Sequence, residues 1–185
     1  MNPRRVLLIR HGESTWNAAG RWQGWGDPPL SQGGRAQAAA LAEQLVPEGI
    51  VRLVSSDLAR AVQTARILGE AFGIAPELDA RLRERDLGRW SGLKEAEILA
   101  AFPGELVRFR AREPGVRPGG GESRDEFRAR VAPALIAIAE RAQTESLAVV
   151  THLGVIRLIA PELRPGNAEV VAVDHTRLLA LASDP

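Results

Sequence analysis

Arg10, His11, Arg60 and His152 are the residues of this chain whose types and placement suit chemistry on a single anion. Arg10-His11-Gly12 directly follows Val6-Leu7-Leu8-Ile9, a short, wholly apolar run that reads as a buried parallel strand. The run Val51–Val54 leads in the same way into Ser55-Ser56-Asp57 and Arg60, and Leu147–Thr151 leads into His152. Open α/β sheets bind ligands outside the carboxyl ends of their strands, where such segments can lie side by side. Arginine offers planar paired donors that match a phosphate, and an imidazole can add charge or attack phosphorus. Arg60 falls in the first turn of its expected helix, so backbone donors and the helix dipole reinforce that edge. Gly12 lets the chain turn sharply there. Together these groups fit a phosphate dianion with a nucleophile beside it.

The elements that must position them follow from patterning. Arg21 to Pro29 is rich in Gly, Pro and Trp and reads as a loop. Ser31 caps an Ala-rich helix that stops at Pro47. Asp57 is placed to cap the next helix, in which Leu58, Val62, Ala65, Leu68 and Phe72 keep helical spacing up to Gly73. A short extended piece is expected near Pro76 to Leu82, and a helical region from Lys94 to Arg112. Pro118 to Gly121 reads as a loop whose glycines resemble a phosphate loop but lack its Lys-Ser/Thr ending, which suggests a flexible segment near the pocket. Ser123 with Glu126 forms a capping box for a helix carrying Phe127, Val131, Leu135 and Ile138 on one face. Val170–Val173 and Leu178–Leu181 suggest two last strands, with His175 at the turn between them as an ordinary residue. Strands alternating with helices imply a mostly parallel sheet covered on both faces.

Composition narrows the function classes. The 185 residues are most simply one domain spanning 1–185, with 45% hydrophobic and 25% charged residues. A net charge of +1 gives no basis for non-specific nucleic-acid or membrane attachment. Cysteine is absent, which removes disulfides, thiolate catalysis and cysteine-ligated metals. With no spanning stretch and no signal-like opening, a cytoplasmic protein is expected. The sequence leaves the oligomeric state open, a homodimer among the options.

Leu8-Ile9-Arg10-His11-Gly12-Glu13-Ser14-Thr15-Trp16-Asn17 resembles the signature of the histidine phosphatase superfamily, the phosphoglycerate mutase-like proteins. The resemblance continues, in family order, through Gln23-Gly24-Trp25, the run Ser55 to Ala65, Leu82 to Gly88, Pro118 to Ser123, and Val150-Thr151-His152. It implies a three-layer α/β/α sandwich with a mostly parallel sheet. It also implies that His11 is the nucleophile, that Arg10, Arg60, His152 and Asn17 hold the phosphate, and that Gln23 and Gly24 contact substrate. Glu84 is then the general acid and base, a role that requires it to hold a proton near neutral pH, with Asp86 its nearby competitor. Neither metal nor cofactor is expected, and the partner is a small phosphorylated substrate. The family usually has glycine after the second histidine; here Leu153 fills that place, which bears on substrate range.

Three functions fit the resemblance. The first is a phosphomonoesterase working through phosphohistidine. The second is a cofactor-dependent phosphoglycerate mutase, for which the segment between Lys94 and Gly121 is short but carries Arg108, Arg110, Arg112 and Arg117. The third is a catalytically silent protein that binds a phosphorylated ligand. The short form also resembles broad-specificity and α-ribazole phosphate phosphatases. Trp16, Trp22, Trp25 and Trp90 fit either substrate stacking or buried packing.

Overall fold

The structure, a computed structural model, describes residues 5–182. The expected domain of 1–185 therefore extends a few residues beyond it at each end.

Five strands form one sheet: β1 (Arg5–Arg10), β2 (Arg52–Ser55), β3 (Glu77–Leu78), β4 (Leu147–Thr151) and β5 (Val170–Asp174). Their order is β3-β2-β4-β1-β5, with every pairing parallel except that of β5 with β1. In the register of β1 against β4, Arg10 lies opposite Thr151, so His11 and His152 emerge together at the carboxyl edge.

Helices α1 (Thr15–Ala18), α2 (Gln32–Leu45) and α3 (Ala59–Phe72) precede α4 (Glu95–Ala101) and α5 (Glu105–Arg110). Then come α6 (Arg124–Arg141), α7 (Leu153–Ile159) and α8 (His175–Leu179). Side chains alternate across a strand, so β1 feeds both faces. Leu7 and Ile9 pack with Leu41 of α2 and Ala61, Ala65 and Leu68 of α3. Val6 and Leu8 pack on the opposite side with Val131 and Leu135 of α6, Ile156 of α7 and Leu178 of α8. Helices thus cover both faces of the sheet, giving the expected three layers. Each such large aliphatic side chain adds about 1.5–3 kcal/mol when fully buried.

The helix signals at Ser31 and Ser123 hold. Each side chain accepts the N–H three residues on, and Ser123 forms the full box with Glu126. Asp57 does something else. Its carboxylate takes both the Nε and Nη2 donors of Arg83, at 2.7 and 2.6 Å. The first turn of α3 is served instead by Asp27 of the Gly/Pro loop, whose carboxylate accepts from the Ala59 N–H at 2.6 Å. The expected helical region from Lys94 to Arg112 is split at Pro103-Gly104, with Gly104 at φ 78°.

Leu178–Leu181 is not a strand. Asp174 accepts the Thr176 N–H and starts α8, and a 3-10 turn continues it through Ala180–Ala182. Leu178 and Leu181 are both buried at a spacing of one helical turn. His175 consequently opens a helix beside Asp174 rather than sitting between strands. Gly119–Gly121 belongs to a bonded turn, not a free loop: Gly119 N–H donates to Glu105, and Gly121 N–H to the Pro118 carbonyl. Trp90 is fully buried and packs edge-on against Trp22 and Phe109, under α4 and α5.

Candidate active site

β1 ends at Arg10, and the next residue is buried between sheet and helix. Gly12 is required there by space, because a Cβ would sit 2.5 Å from the Gly34 carbonyl oxygen. Its N–H donates to Thr64 Oγ1 at 3.0 Å, and Thr64 in turn donates to the Arg60 carbonyl. The turn carrying His11 is thereby fastened to the helix carrying Arg60.

His11 Nδ1 lies 2.7 Å from the Gly12 carbonyl oxygen. A carbonyl only accepts, so Nδ1 carries the proton and Nε2 keeps its lone pair. Arg60 Nε donates to that nitrogen at 3.3 Å. Burial, then the charges of Arg60 and Arg10, hold His11 well below the ordinary histidine pKa against the raising effect of the Gly12 carbonyl. The imidazole is neutral and oriented, the state in which a histidine can attack.

Arg60 is 1% exposed. Its Nη1 and Nη2 donate to the carbonyls of Gly26 and Gly24 at 2.8 and 2.9 Å. Burial pushes its pKa down to about 10, which leaves it charged at neutral pH. Gly24, expected to contact substrate, lines the cavity while its carbonyl holds this arginine in place. Arg10 donates through Nη1 to the Pro165 carbonyl, and its buried Nε has no partner.

His152 stands beside His11, with ring centroids 5.1 Å apart. Its Nε2 lies 2.8 Å from Ser56 Oγ and its buried Nδ1 has no partner. Burial, followed by the Arg60 charge, keeps its pKa well below the ordinary value. It is fully enclosed and does not line the open cavity, unlike the other expected site residues.

Asn17 Oδ1 accepts from Ser14 N–H and Asn167 Nδ2, which leaves its own Nδ2 as the donor. Gln23 Oε1 accepts from Ser14 Oγ at 2.7 Å. Glu84 reaches the cavity from the loop after β3, with its oxygens accepting the N–H groups of Arg85 (2.8 Å) and Gly154 (3.0 Å). A Cβ at 154 would stand 2.0 Å from Glu84 Oε1, so the carboxylate holds its place only because the residue there is glycine. The carbonyl of Glu84 accepts from Trp25 Nε1 and Arg130 Nη2. Leu153, in the place where the family usually has glycine, is the first residue of α7 and lines the cavity.

The cavity has a volume of about 580 Å³. Residues that position the site without having been read from the sequence are Thr64, Asn167 and Gly154. Thr64 lies one helical turn beyond Arg60, a spacing that could have revealed it. Asn167 donates to the His11 carbonyl from a Pro-Gly-Asn stretch without periodicity, where nothing in the sequence marks it. Among the described residues, no group of three or more His, Asp or Glu side chains is placed to hold a metal ion. No helix among them is long and apolar enough to cross a membrane.

A neutral imidazole with a free Nε2, two arginines and an asparagine donor converge at one strand edge, and the family model of the histidine phosphatase superfamily (branch 1) matches residues 6–182. The chain belongs to the histidine phosphatase superfamily. Over 133 residues it is 44% identical to glucosyl-3-phosphoglycerate phosphatase of Mycobacterium tuberculosis, a match covering 72% of this chain and 59% of that protein. The chain thus spans less than two thirds of that relative's length. It is 40% identical over 163 residues to a metal-independent phosphoserine phosphatase of Arabidopsis thaliana, covering 83% of this chain and 66% of the relative. Among solved structures, mycobacterial glucosyl-3-phosphoglycerate phosphatase in complex with VO3 superposes with a TM-score of 0.80 at 36% identity, covering 91% of this chain and 90% of the other. That solved structure shares the fold described above.

Proposed function

We propose that this histidine phosphatase hydrolyses small phosphomonoesters through a phosphohistidine on His11, without a metal ion. The observation that carries the reading is the lone pair on His11 Nε2, fixed by the Nδ1 bond to Gly12 and flanked by Arg60. On substrate binding, a phosphate oxygen replaces Nε2 as acceptor of the Arg60 Nε–H. Arg10 Nε and Asn17 Nδ2 are the further groups placed to meet the phosphoryl oxygens, and His152 stands enclosed beside His11 with its Nδ1 unpartnered. Nε2 attacks phosphorus in line; the N–P bond forms as the ester P–O bond breaks. Glu84 gives its proton to the departing alkoxide, then takes one from water. That water attacks phosphorus, the N–P bond breaks, and inorganic phosphate leaves with His11 neutral again. The arginines balance the negative charge on the transferring group throughout.

The test is phosphate release from p-nitrophenyl phosphate in EDTA by the wild type and by His11→Ala. Release by the wild type alone is expected. Loss in EDTA would point to a metal enzyme, and near-native activity in His11→Ala would remove the nucleophile assignment. If the wild type releases nothing, 2,3-bisphosphoglycerate priming distinguishes phosphoryl transfer to a phosphoglycerate from a silent binding protein.

A further inference from the structure

Glu84 stands in a stretch, residues 83–87, that is neither helix nor strand. A catalytic side chain has to be held within about 0.5 Å, and a backbone without a ladder of its own does not supply that. The hold comes from α6. Arg130 donates through Nη1 to the carbonyls of Arg81 and Arg83 at 2.8 and 3.1 Å, and through Nη2 to that of Glu84 at 3.0 Å. Its Nε and Nη2 also donate to Glu122 Oε1 and Oε2 at 2.7 and 2.8 Å.

Glu122 closes the clamp from the other side. Its Oε2 accepts the Asp86 N–H at 2.9 Å, its own N–H donates to the Asp86 carbonyl, and its carbonyl accepts from Arg85 Nε. Trp25 brings a second donor to the Glu84 carbonyl, Nε1 at 2.8 Å. Its ring packs against two guanidinium groups, with the carbons of Arg130 and Arg83 at 5.5 and 5.1 Å from the ring centre.

These contacts reach the carboxylate through one peptide unit. The Glu84 carbonyl and the Arg85 N–H share a plane that resists twisting. Arg130 and Trp25 fix the carbonyl end of that plane, and its N–H end donates to Glu84 Oε1 at 2.8 Å. Turning the carbonyl away swings the N–H with it and releases the carboxylate. Docking of α6 does not need Arg130, because Phe127, Val131, Leu135 and Ile138 bury the apolar face of that helix. Every acceptor of Arg130 lies in the segment 81–84 or on Glu122, which grips Asp86.

We propose that Arg130 and Trp25 are positioning residues for the acid–base step: they orient the Glu84–Arg85 peptide and thereby hold the Glu84 carboxyl against the ester oxygen. This rests on the phosphatase reading and deepens it with two residues that do not line the cavity.

The experiment measures kcat/KM, which reports formation of the phosphohistidine and not its hydrolysis, for phenyl phosphate and p-nitrophenyl phosphate. The two esters are alike in shape and differ in how far the leaving oxygen needs a proton. Trp25→Phe keeps a ring beside the guanidinium groups and removes only the Nε1–H, whereas Arg130→Met removes the donors of α6. For phenyl phosphate the expected losses are about 3- to 10-fold in Trp25→Phe and about 10- to 100-fold in Arg130→Met, with much smaller losses on p-nitrophenyl phosphate. Introduced into Glu84→Gln, either change should cost less than about 2-fold, because the group it positions is gone. Losses equal on both esters, or undiminished in the Glu84→Gln background, show that the two residues serve only the fold and overturn the inference. Trp25 is 38% exposed, so Trp25→Phe decides alone where Arg130→Met does not fold. If Glu84→Gln discriminates between the esters as the wild type does, Glu84 is not the acid and the positioning role falls with it. A wild type that hydrolyses neither ester refutes the phosphatase reading itself.

Discussion

Two buried neutral imidazoles make this protein sensitive to mild acid, well above the range in which carboxylates titrate. In the unfolded chain His11 and His152 take up protons near pH 6.5. In the folded protein burial and the nearby arginine charges keep both pKa values well below that. The unfolded state then binds more protons as pH falls, so stability is present above pH 6.5 and lost below it. With both rings neutral in the folded protein across the window, each contributes a loss of RT ln(1 + 10^(6.5 − pH)). Per ring this is about 0.06 kcal/mol at about pH 7.5 and about 1.4 kcal/mol at about pH 5.5. The pair therefore removes about 2.7 kcal/mol, a large part of the roughly 5–15 kcal/mol by which a domain is stable. Asp57 and Asp79, whose pKa values are lowered by Arg83 and Arg81, lie below the usual 3.8 and stay ionised throughout. Urea unfolding followed by tryptophan fluorescence at the two pH values, at fixed ionic strength, measures the difference. His152→Gln should halve it. A wild-type change below about 1 kcal/mol, or a His152→Gln variant with the full wild-type loss, refutes the reasoning.

Gly154→Ala places a methyl carbon 2.0 Å from Glu84 Oε1 and must displace the carboxylate. Turnover of an alkyl phosphate should fall by about 10²-fold or more, with a smaller loss on p-nitrophenyl phosphate, whose leaving group needs little protonation. Equal losses on both substrates would show that the change acts on something other than the acid. Thr64→Val keeps the shape but leaves the buried Gly12 N–H without its acceptor, and should cost about 1–3 kcal/mol of stability in urea unfolding. Wild-type stability in that variant would mean that the Gly12 bond does not fasten the His11 turn.

The sequence displays the residues that chemistry and strand ends place in one short stretch. Arg10 and His11 follow the buried apolar run of one strand and His152 follows another, so their convergence is legible from the apolar runs, whereas Asn17 comes only with the family resemblance. Helix signals succeed where the cap is local, as at Ser31 and Ser123. They fail where a side chain has a stronger distant partner. α3 takes Leu58 as its N-cap, which leaves Asp57 one residue outside, and the Arg83 guanidinium offers its carboxylate two charge-assisted bonds, worth more than one backbone N–H. The segment 178–181 misleads because a short apolar run carries no period, and Asp174 is the signal that decides it. Asn167 is illegible for another reason: its role depends on what else faces the cavity, which no single segment encodes.

The Gly/Pro loop from Arg21 to Pro29 shows how far that dependence reaches. Read locally it is only a loop, because its composition forbids regular structure. In the fold it supplies the carbonyls of Gly24 and Gly26, which with His11 are the bonded partners of the Arg60 guanidinium. None of those partners is charged. A buried guanidinium held by neutral acceptors has no bonded counter-ion, and the Glu84 and Asp27 charges offset its burial only from a distance. A carboxylate in place of either carbonyl would stabilise the empty protein, but it would cancel the field that, in the proposed mechanism, draws a dianion to His11. Neutral carbonyls fix the direction of the arginine and leave its charge for the substrate. The same reasoning makes the low pKa of His11 useful, since an imidazolium at that position could not attack phosphorus. In the proposed mechanism the arginine that attracts the phosphate is also the one that suppresses protonation of His11, so one buried charge would serve both binding and attack.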